Sequence, residues 1–202
     1  LKIMSIKFQY NKTSLQDMQG SLKLRQRALP TLQNKESALR VEVKKAKDNA
    51  RNLSEKLNKK LEELGTMLRL WVEFDDSLVT IKDVNLKIKK IAGVKTPVLE
   101  GVVFDIKEYS YNNNPGWYPD GIEVLKELAT LSVEREFYIR KMELLDFARK
   151  KTTQKVNLYE KVQIPGYDEA IRKIKRFLED EENLSKSAQK IVKIRQQEME
   201  II

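Results

Sequence analysis

The chain has 202 residues, of which 34% are charged and 41% hydrophobic, and its formal net charge is +9. It contains no Cys and no His, which excludes disulfides, thiolate nucleophiles, the usual structural zinc sites and catalytic relays that need an imidazole base. Gly and Pro number only seven and five. Because compact folds need many turns, this scarcity of turn residues predicts long helices.

The net positive charge lies in the first third of the chain. Residues 1–61 hold 15 Lys and Arg against 5 Asp and Glu, whereas residues 62–202 hold 24 against 25. A basic arm of this kind favours one acidic partner at one end of the molecule. The alternative is a basic coiled coil that binds nucleic acid or an anionic membrane surface. No apolar stretch is long enough to span a membrane, so we expect a soluble, intracellular protein.

Residues 1–91 are predicted to form one long N-terminal helix. Apolar residues recur at alternating spacings of three and four for about seven heptads, which is typical of a coiled coil. The residues of this stripe are Met18, Leu22, Leu29, Leu32, Leu39, Val43, Ala46, Ala50, Leu53, Leu57, Leu61, Leu64, Leu68 and Trp71. Arg25 and Glu36 occupy two seam positions, and Pro30 predicts a kink or a helix restart near Leu29.

Residues 92–121 differ in composition and predict a short β-hairpin and loop. Val102, Phe104 and Ile106 alternate with more polar neighbours, as in a half-buried strand. The turn is expected either at Glu100-Gly101 or near Asp105.

Residues 122–202 predict a second long helix with an apolar stripe and a kink near residue 165, where Pro165-Gly166 interrupts the pattern. Each stripe needs the other, because an isolated helix cannot bury it. The predicted fold class is therefore all-α: a long antiparallel coiled-coil hairpin of two helices, with a short β-hairpin and loop region at the turn-around.

Two groups of sequence runs resemble a known family, the central-stalk D subunits of V/A-type rotary ATPases. The first group reads FQYNKTSL at residues 8–15, LKLRQRALPTL at 22–32 and KESALR at 35–40, and the second reads KVNLYE at 155–160, IP at 164–165 and IRKI at 171–174. The resemblance implies a rotor shaft that transmits torque between a nucleotide-binding ring and a membrane ion-translocating ring. It implies a cytoplasmic position, peripheral at the membrane within the complex.

The same resemblance implies the partners and the absence of catalysis by the shaft itself. Its partners would be the catalytic and regulatory subunits of the ring, the small F subunit of the stalk, and a funnel-shaped subunit that links to the membrane ring. The shaft would bind no nucleotide or other cofactor, and the sequence contains neither a P-loop nor a dinucleotide-binding glycine motif.

Two sets of residues are predicted to contact these partners. The ring-contact residues, on the basic arm, are Lys12, Arg25, Arg27, Lys35, Arg40, Lys44, Lys45, Lys47 and Arg51. The stalk-partner residues are Trp71, Phe74, Tyr138, Val102, Phe104 and Ile106. For the basic set the alternative is a solvated helix face, and for Trp71, Phe74, Phe137 and Tyr138 it is a filled coiled-coil core. The acidic run Glu179-Asp180-Glu181-Glu182 is expected to face solvent or a partner rather than a metal ion.

Overall fold

The structure is a computed structural model that describes residues 6–65, 71–108 and 115–200. Within these ranges, three long α-helices and one β-hairpin follow one another. They are α1 (Lys12–Gly65), β1 (Val79–Ile91), β2 (Val94–Ile106), α2 (Tyr118–Leu158) and α3 (Ile164–Glu200). A 3₁₀ turn at Asp76–Leu78 precedes β1, and a π-helical turn at Tyr159–Gln163 joins α2 to α3. The predicted fold class, long helices with an antiparallel β-hairpin between them, is confirmed.

The chain divides into two compact units. The terminal unit holds Leu1–Asn34 with Thr152–Ile202, and the hairpin unit holds Lys35–Lys151. Helix α1 contributes its first part to the terminal unit and the remainder to the hairpin unit.

In the terminal unit, α1 begins at a side-chain cap and runs antiparallel to α3. The Asn11 carboxamide oxygen accepts a 2.7 Å hydrogen bond from the Ser14 backbone N–H, as an N-cap residue does. Near this end the Tyr10 ring contacts the Phe177 ring, with centroids 4.9 Å apart, and further along α1 the Arg25 side chain contacts Gln163. Ala170, Ile171 and Ile174 form the buried core of this unit.

In the hairpin unit, α1 runs antiparallel to α2. The Lys60 ammonium pairs with Glu127, Arg135 Nε donates to Ser54 Oγ at 2.9 Å, and Glu36 faces Arg149. The partner number on α2 falls as the number on α1 rises. Leu39, Ala46, Ala50 and Leu145 are buried along this seam.

The helix prediction was wrong for residues 79–91. Helix α1 ends at Gly65, and Val79–Ile91 forms strand β1 instead of the end of a long helix. The hairpin turn also differs from both predicted positions, because it lies at Ala92-Gly93. Both turn residues have positive φ, 48° and 77°, which is the conformation that a two-residue type I′ turn requires. Leu68 of the predicted stripe and residues 109–114 of the predicted tip region lie outside the described residues.

Pro30 and Pro165 have different effects on the helices that contain them. Helix α1 continues through Pro30, so the predicted restart near Leu29 is absent. Pro165 has no N–H to donate to the carbonyl four residues before it. Just ahead of it the backbone widens into the π turn, in which the Ile164 N–H donates to the Tyr159 carbonyl five residues earlier. The helical run is therefore locally widened at the predicted second kink, without a break.

Candidate partner-binding surfaces

The hairpin presents an apolar face along both strands. The antiparallel register places one residue of β1 opposite one of β2, and residues opposite each other share a face. The ten apolar residues on one face, which we call the apolar hairpin face, are the pairs Val79–Ile106, Ile81–Phe104, Val84–Val102, Leu86–Leu99 and Ile88–Pro97. Ile88 is 74% exposed and Leu86 53% exposed. Large aliphatic side chains this open to water are typical of a binding surface.

Two β-bulges keep this face continuous. The register shifts once between Ile81 and Asp83 and once between Asn85 and Leu86, which leaves Lys82 on β1 and Glu100 on β2 without a ladder partner. Each bulge absorbs one residue, so the apolar positions stay on the same side although their spacing in the sequence changes.

At the turn end of the hairpin, the opposite face is covered within the hairpin unit. Lys35 Nζ of α1 lies 3.5 Å from the position that a Cβ atom would take on Gly93. Thr96 is fully buried, and its hydroxyl donates a 2.9 Å hydrogen bond to the Lys89 carbonyl across the hairpin. The hairpin turn thus lies beside α1, and Leu86 and Ile88 near this end of the apolar hairpin face remain exposed. Six other residues of that face are half-buried: Val79, Val84, Pro97, Leu99, Val102 and Phe104.

The length of the hairpin agrees with this arrangement. From Lys35 to Gly65 the thirty-one residues of α1 rise roughly 45 Å, and a strand of thirteen residues spans roughly 40 Å. The hairpin therefore runs back along the helices of its own unit.

Two lysines lie at the turn end of the apolar hairpin face. Lys90 and Lys95 lie directly opposite each other on that face, and both are exposed. Like charges in such a position repel. Within the described part of the chain neither ammonium has an ion-pair partner, whereas Lys87 on the other face pairs with Glu100.

At the base of the hairpin, four aromatic rings form a cluster. Trp71 and Phe74 contact Trp117 and Tyr118 at centroid distances between 5.0 and 5.9 Å. The Tyr118 hydroxyl donates to the Glu73 carbonyl at 2.8 Å, and Tyr118 is only 5% exposed. These rings anchor the start of α2 to the segment before β1.

The predicted aromatic zone is therefore divided in the structure. Trp71 and Phe74 join the cluster at the hairpin base, whereas Phe137 and Tyr138 contact each other farther along α2, with centroids 5.3 Å apart. Tyr138 lies beside Asn52 and Leu53 of α1. Of the six predicted stalk-partner residues, Val102, Phe104 and Ile106 are brought together on the apolar hairpin face.

The nine predicted ring-contact residues do not form one continuous exposed set. Arg40, Lys45 and Arg51 make ion pairs with Glu36, Glu42 and Glu55 of their own helix. Arg27, Lys44 and Lys47 are exposed and have no ion-pair partner among the described residues. Lys12 lies beside Glu182 of α3, and Lys35 lies beside the hairpin turn.

Arg25 has an internal role in the terminal unit. Its Nε donates a 2.6 Å hydrogen bond to Gln163 Oε1, and one Nη donates to the Ser21 carbonyl at 3.0 Å. The guanidinium carbon lies 4.5 Å from the Tyr167 ring centroid and 5.9 Å from that of Tyr159, within the range of cation–π attraction. These contacts of Arg25 hold the π turn against α1, and its contact with a partner ring stays a prediction.

The last part of α3 is exposed on all sides in the described structure. Residues 179–197 are exposed without exception, including Leu184, Ile191, Val192 and Ile194. In the acidic run before them, Glu182 pairs with Lys186, whose hydrogen bond lowers the pKa of that carboxyl. No group of three or more Asp or Glu side chains in the described chain is placed to hold a metal ion.

Sequence reasoning missed the β1 half of the apolar hairpin face and the role of Trp117 and Tyr118. The signal for β1 was present, since Val84, Leu86 and Ile88 alternate with Asn85, Lys87 and Lys89. The bulge at Lys82 shifts this alternation by one residue relative to Val79 and Ile81, which hides the two-residue period in a longer window.

None of the helices in the described ranges combines the length and apolarity that a membrane crossing requires.

Comparisons with known proteins agree on one family. The family model for the D subunit of ATP synthase matches residues 14–194. A V-type ATP synthase D subunit of Borreliella burgdorferi is 31% identical over 189 residues, which cover 93% of this chain and 94% of the relative. The protein of the same name from Chlamydia muridarum is 28% identical over 182 residues, covering 88% and 90%, and that of Chlamydia abortus is 28% identical over 157 residues, covering 75% and 76%. The chain thus belongs to the family of ATP synthase D subunits, and specifically to those of the V type.

Proposed function

We propose that this protein is the central rotor shaft of its complex and transmits torque between the nucleotide-binding ring and the membrane ion-translocating ring. In this role it performs no chemistry itself. It lies on the cytoplasmic side, peripheral to the membrane, and contacts the ring's catalytic and regulatory subunits, the small F subunit of the stalk and the funnel-shaped linking subunit.

The observation that carries the proposal, beyond family membership, is the exposed end of α3. Its apolar residues have no covering element among the described residues, although a helix of this kind needs tertiary packing to be stable. A surrounding ring of subunits would cover them and would keep the shaft centred.

The exposed cations of α1 provide the second part of the proposal. Arg27, Lys44 and Lys47 are available for contact with acidic loops of a ring. Each surface ion pair contributes only about 0–1 kcal/mol, so such contacts can be exchanged as the shaft turns. Deep interlocking contacts would instead hold it at one angle.

Single-molecule rotation of the purified complex tests this proposal. A triple charge reversal, Arg27→Glu with Lys44→Glu and Lys47→Glu, should reduce torque and ATP-driven rotation several-fold. The defect should depend on ionic strength, because salt screens these contacts. Lys82→Glu, an exposed lysine on the hairpin bulge, is the matched control. Unchanged torque and hydrolysis in the triple variant would contradict the charge-contact part, and a chain that does not co-purify with the ATPase subunits would contradict the shaft role.

A further inference from the structure

We propose that the apolar hairpin face, together with the Lys90–Lys95 pair, is the docking surface for an amphipathic helix with acidic residues at one end, supplied by another subunit of the complex. This inference rests on the proposed function, because it assumes that the chain works within an assembly. It concerns residues other than those at the exposed end of α3 and the exposed cations of α1.

The first argument is the asymmetry between the two faces of the hairpin. At the turn end one face is covered, with Thr96 fully buried beside the turn that approaches Lys35. The other face leaves Ile88 and Leu86 mostly open to water. A two-stranded hairpin with an uncovered apolar face is marginally stable in water, so a covering element would stabilise it.

The second argument is the charge at the end of that face. Lys90 and Lys95 repel each other across the hairpin, and no carboxylate of the described chain is paired with either. Carboxylates from a partner would relieve this repulsion. The surface therefore combines an apolar row with a cationic end, and its complement is an apolar row with an acidic end.

The third argument is shape. A partner strand would add at an edge, whereas a sheet face is covered by packing a helix across it. From Ile81 to Ile88 the face extends roughly 23 Å at the rise of a β-strand. About fifteen helical residues, or four turns, match that length.

The test uses the complete, purified complex. A carbodiimide reagent forms an amide bond directly between a lysine and a carboxylate that are in contact, and mass spectrometry identifies the joined peptides. We expect Lys90 or Lys95 to be joined to Asp or Glu in a helical segment of a different subunit. In the same complex, hydroxyl-radical labelling of Leu86 and Ile88 should fall several-fold relative to the isolated chain.

Substitutions then measure how far the surface contributes to retention of the cross-linked subunit. Ile88→Ser, at a side chain that the isolated fold leaves exposed, should weaken retention about tenfold, and Lys90→Gln with Lys95→Gln should weaken it in a salt-dependent way. Val103→Ser and Lys89→Gln are matched controls, because these residues lie on the same strands and on the opposite face. Both controls should retain the subunit as the unaltered chain does.

Four outcomes would overturn the inference. The first is that mixed isotopic samples show cross-links only between two copies of this chain, and the second is that the full chain binds phosphatidylserine vesicles through the same residues. The third is that the labelling of Ile88 is unchanged in the complex. The fourth is that the substitutions leave retention of the cross-linked subunit unaffected. A complex that assembles and rotates with Ile88 still accessible overturns this inference alone. Failure of the chain to assemble with the ATPase subunits overturns the proposed function as well.

Discussion

The Arg25 guanidinium lies 4.5 Å from the Tyr167 ring centroid while its Nε donates a 2.6 Å hydrogen bond to Gln163. One side chain of α1 therefore contacts both sides of the point where the helical run passes from the π turn into α3. The contact fixes the register of α1 against α3 in the terminal unit, beside the π turn that joins α2 to α3.

Arg25→Lys should destabilise the protein by about 1–3 kcal/mol. A lysine cannot reproduce a planar guanidinium that stacks on a ring and donates in two directions, and Gln163 would lose a charged donor. Equilibrium denaturation in urea measures the change. Arg27→Lys, two residues away and exposed, is the control and should lie within about 0.5 kcal/mol of the unaltered protein. Equal effects of the two substitutions would contradict the role given to Arg25.

Leu39→Ala should cost about 2–5 kcal/mol, because Leu39 is fully buried and its removal leaves a cavity between α1 and its neighbours. The matched substitution is Leu24→Ala, at a leucine of the same helix that is 67% exposed. That change should be close to neutral. Thermal unfolding followed by helical circular dichroism gives both values, and a similar loss at the two sites would argue against the buried position of Leu39.

Gly121→Ala and Gly20→Ala should change the stability of the protein in opposite directions. A Cβ atom on Gly121 would lie 2.9 Å from Phe74 Cε2 and 3.1 Å from a Trp117 ring atom, so the aromatic cluster would have to move. Overpacking of this kind typically costs about 1–3 kcal/mol. A Cβ atom on Gly20 meets nothing within 4 Å, and alanine in a helix interior is favoured over glycine by roughly 0.5–1 kcal/mol.

The readouts for these two variants are the unfolding midpoint and tryptophan fluorescence. Only Gly121→Ala should alter the emission of the folded protein, because Trp71 and Trp117 belong to the cluster that it disturbs. Stabilisation by Gly121→Ala would show that the cluster is looser than its ring distances indicate.

The contribution of Asp146 to stability should disappear in acid. Hydrogen bonds from Arg149 and Lys150 hold the pKa of Asp146 below its ordinary value of 3.8. A depressed folded-state pKa means that the stabilisation is fully present above the unfolded pKa and is lost as the pH falls through the folded one. Asp146→Asn should therefore destabilise the protein at pH 7 by up to about 1 kcal/mol. This difference in stability between the variant and the unaltered protein should shrink as the pH falls below the ordinary pKa of an aspartate.

Denaturation curves collected at pH 7 and at successively lower pH down to pH 2 test this dependence. Asp48→Asn, an exposed α1 carboxylate without an ion pair among the described residues, serves as the control. A difference for Asp146→Asn that stays constant with pH would mean that its ion pairs contribute nothing measurable.

The sequence predicted the helical features that depend on near neighbours. The heptad stripe of α1 follows from the spacing of its apolar residues. Glu36 was assigned to the seam, and its side chain is indeed 12% exposed, between Arg40 and Arg149. Local periodicity is sufficient to predict the stripe and the seam position of Glu36, because each depends only on residues within a few turns of one helix.

The features that sequence reasoning missed depend on residues far away in the sequence or on a bulge that shifts the apolar–polar alternation of a strand by one residue. The partner of Arg25 at Gln163 is 138 residues away, and nothing in the neighbourhood of Arg25 indicates that its charge is satisfied internally. Strand β1 was assigned to a helix because the bulge at Lys82 interrupts its alternation. Which side chains share the apolar hairpin face depends on where the turn lies, and Ala92-Gly93 is a weak turn signal beside Glu100-Gly101.

The two bulges affect the twist of the hairpin without changing which side chains lie on each face. Lys82 and Glu100 stand outside the ladder, one on each strand, so both strands reach the turn with thirteen residues and their ends coincide. Deleting either residue would leave every apolar side chain on the side it now occupies, because the pairing on both sides of the bulge is unchanged. It would remove a local increase in twist. The contour that this surface presents is therefore adjustable one residue at a time, independently of the side chains that form it.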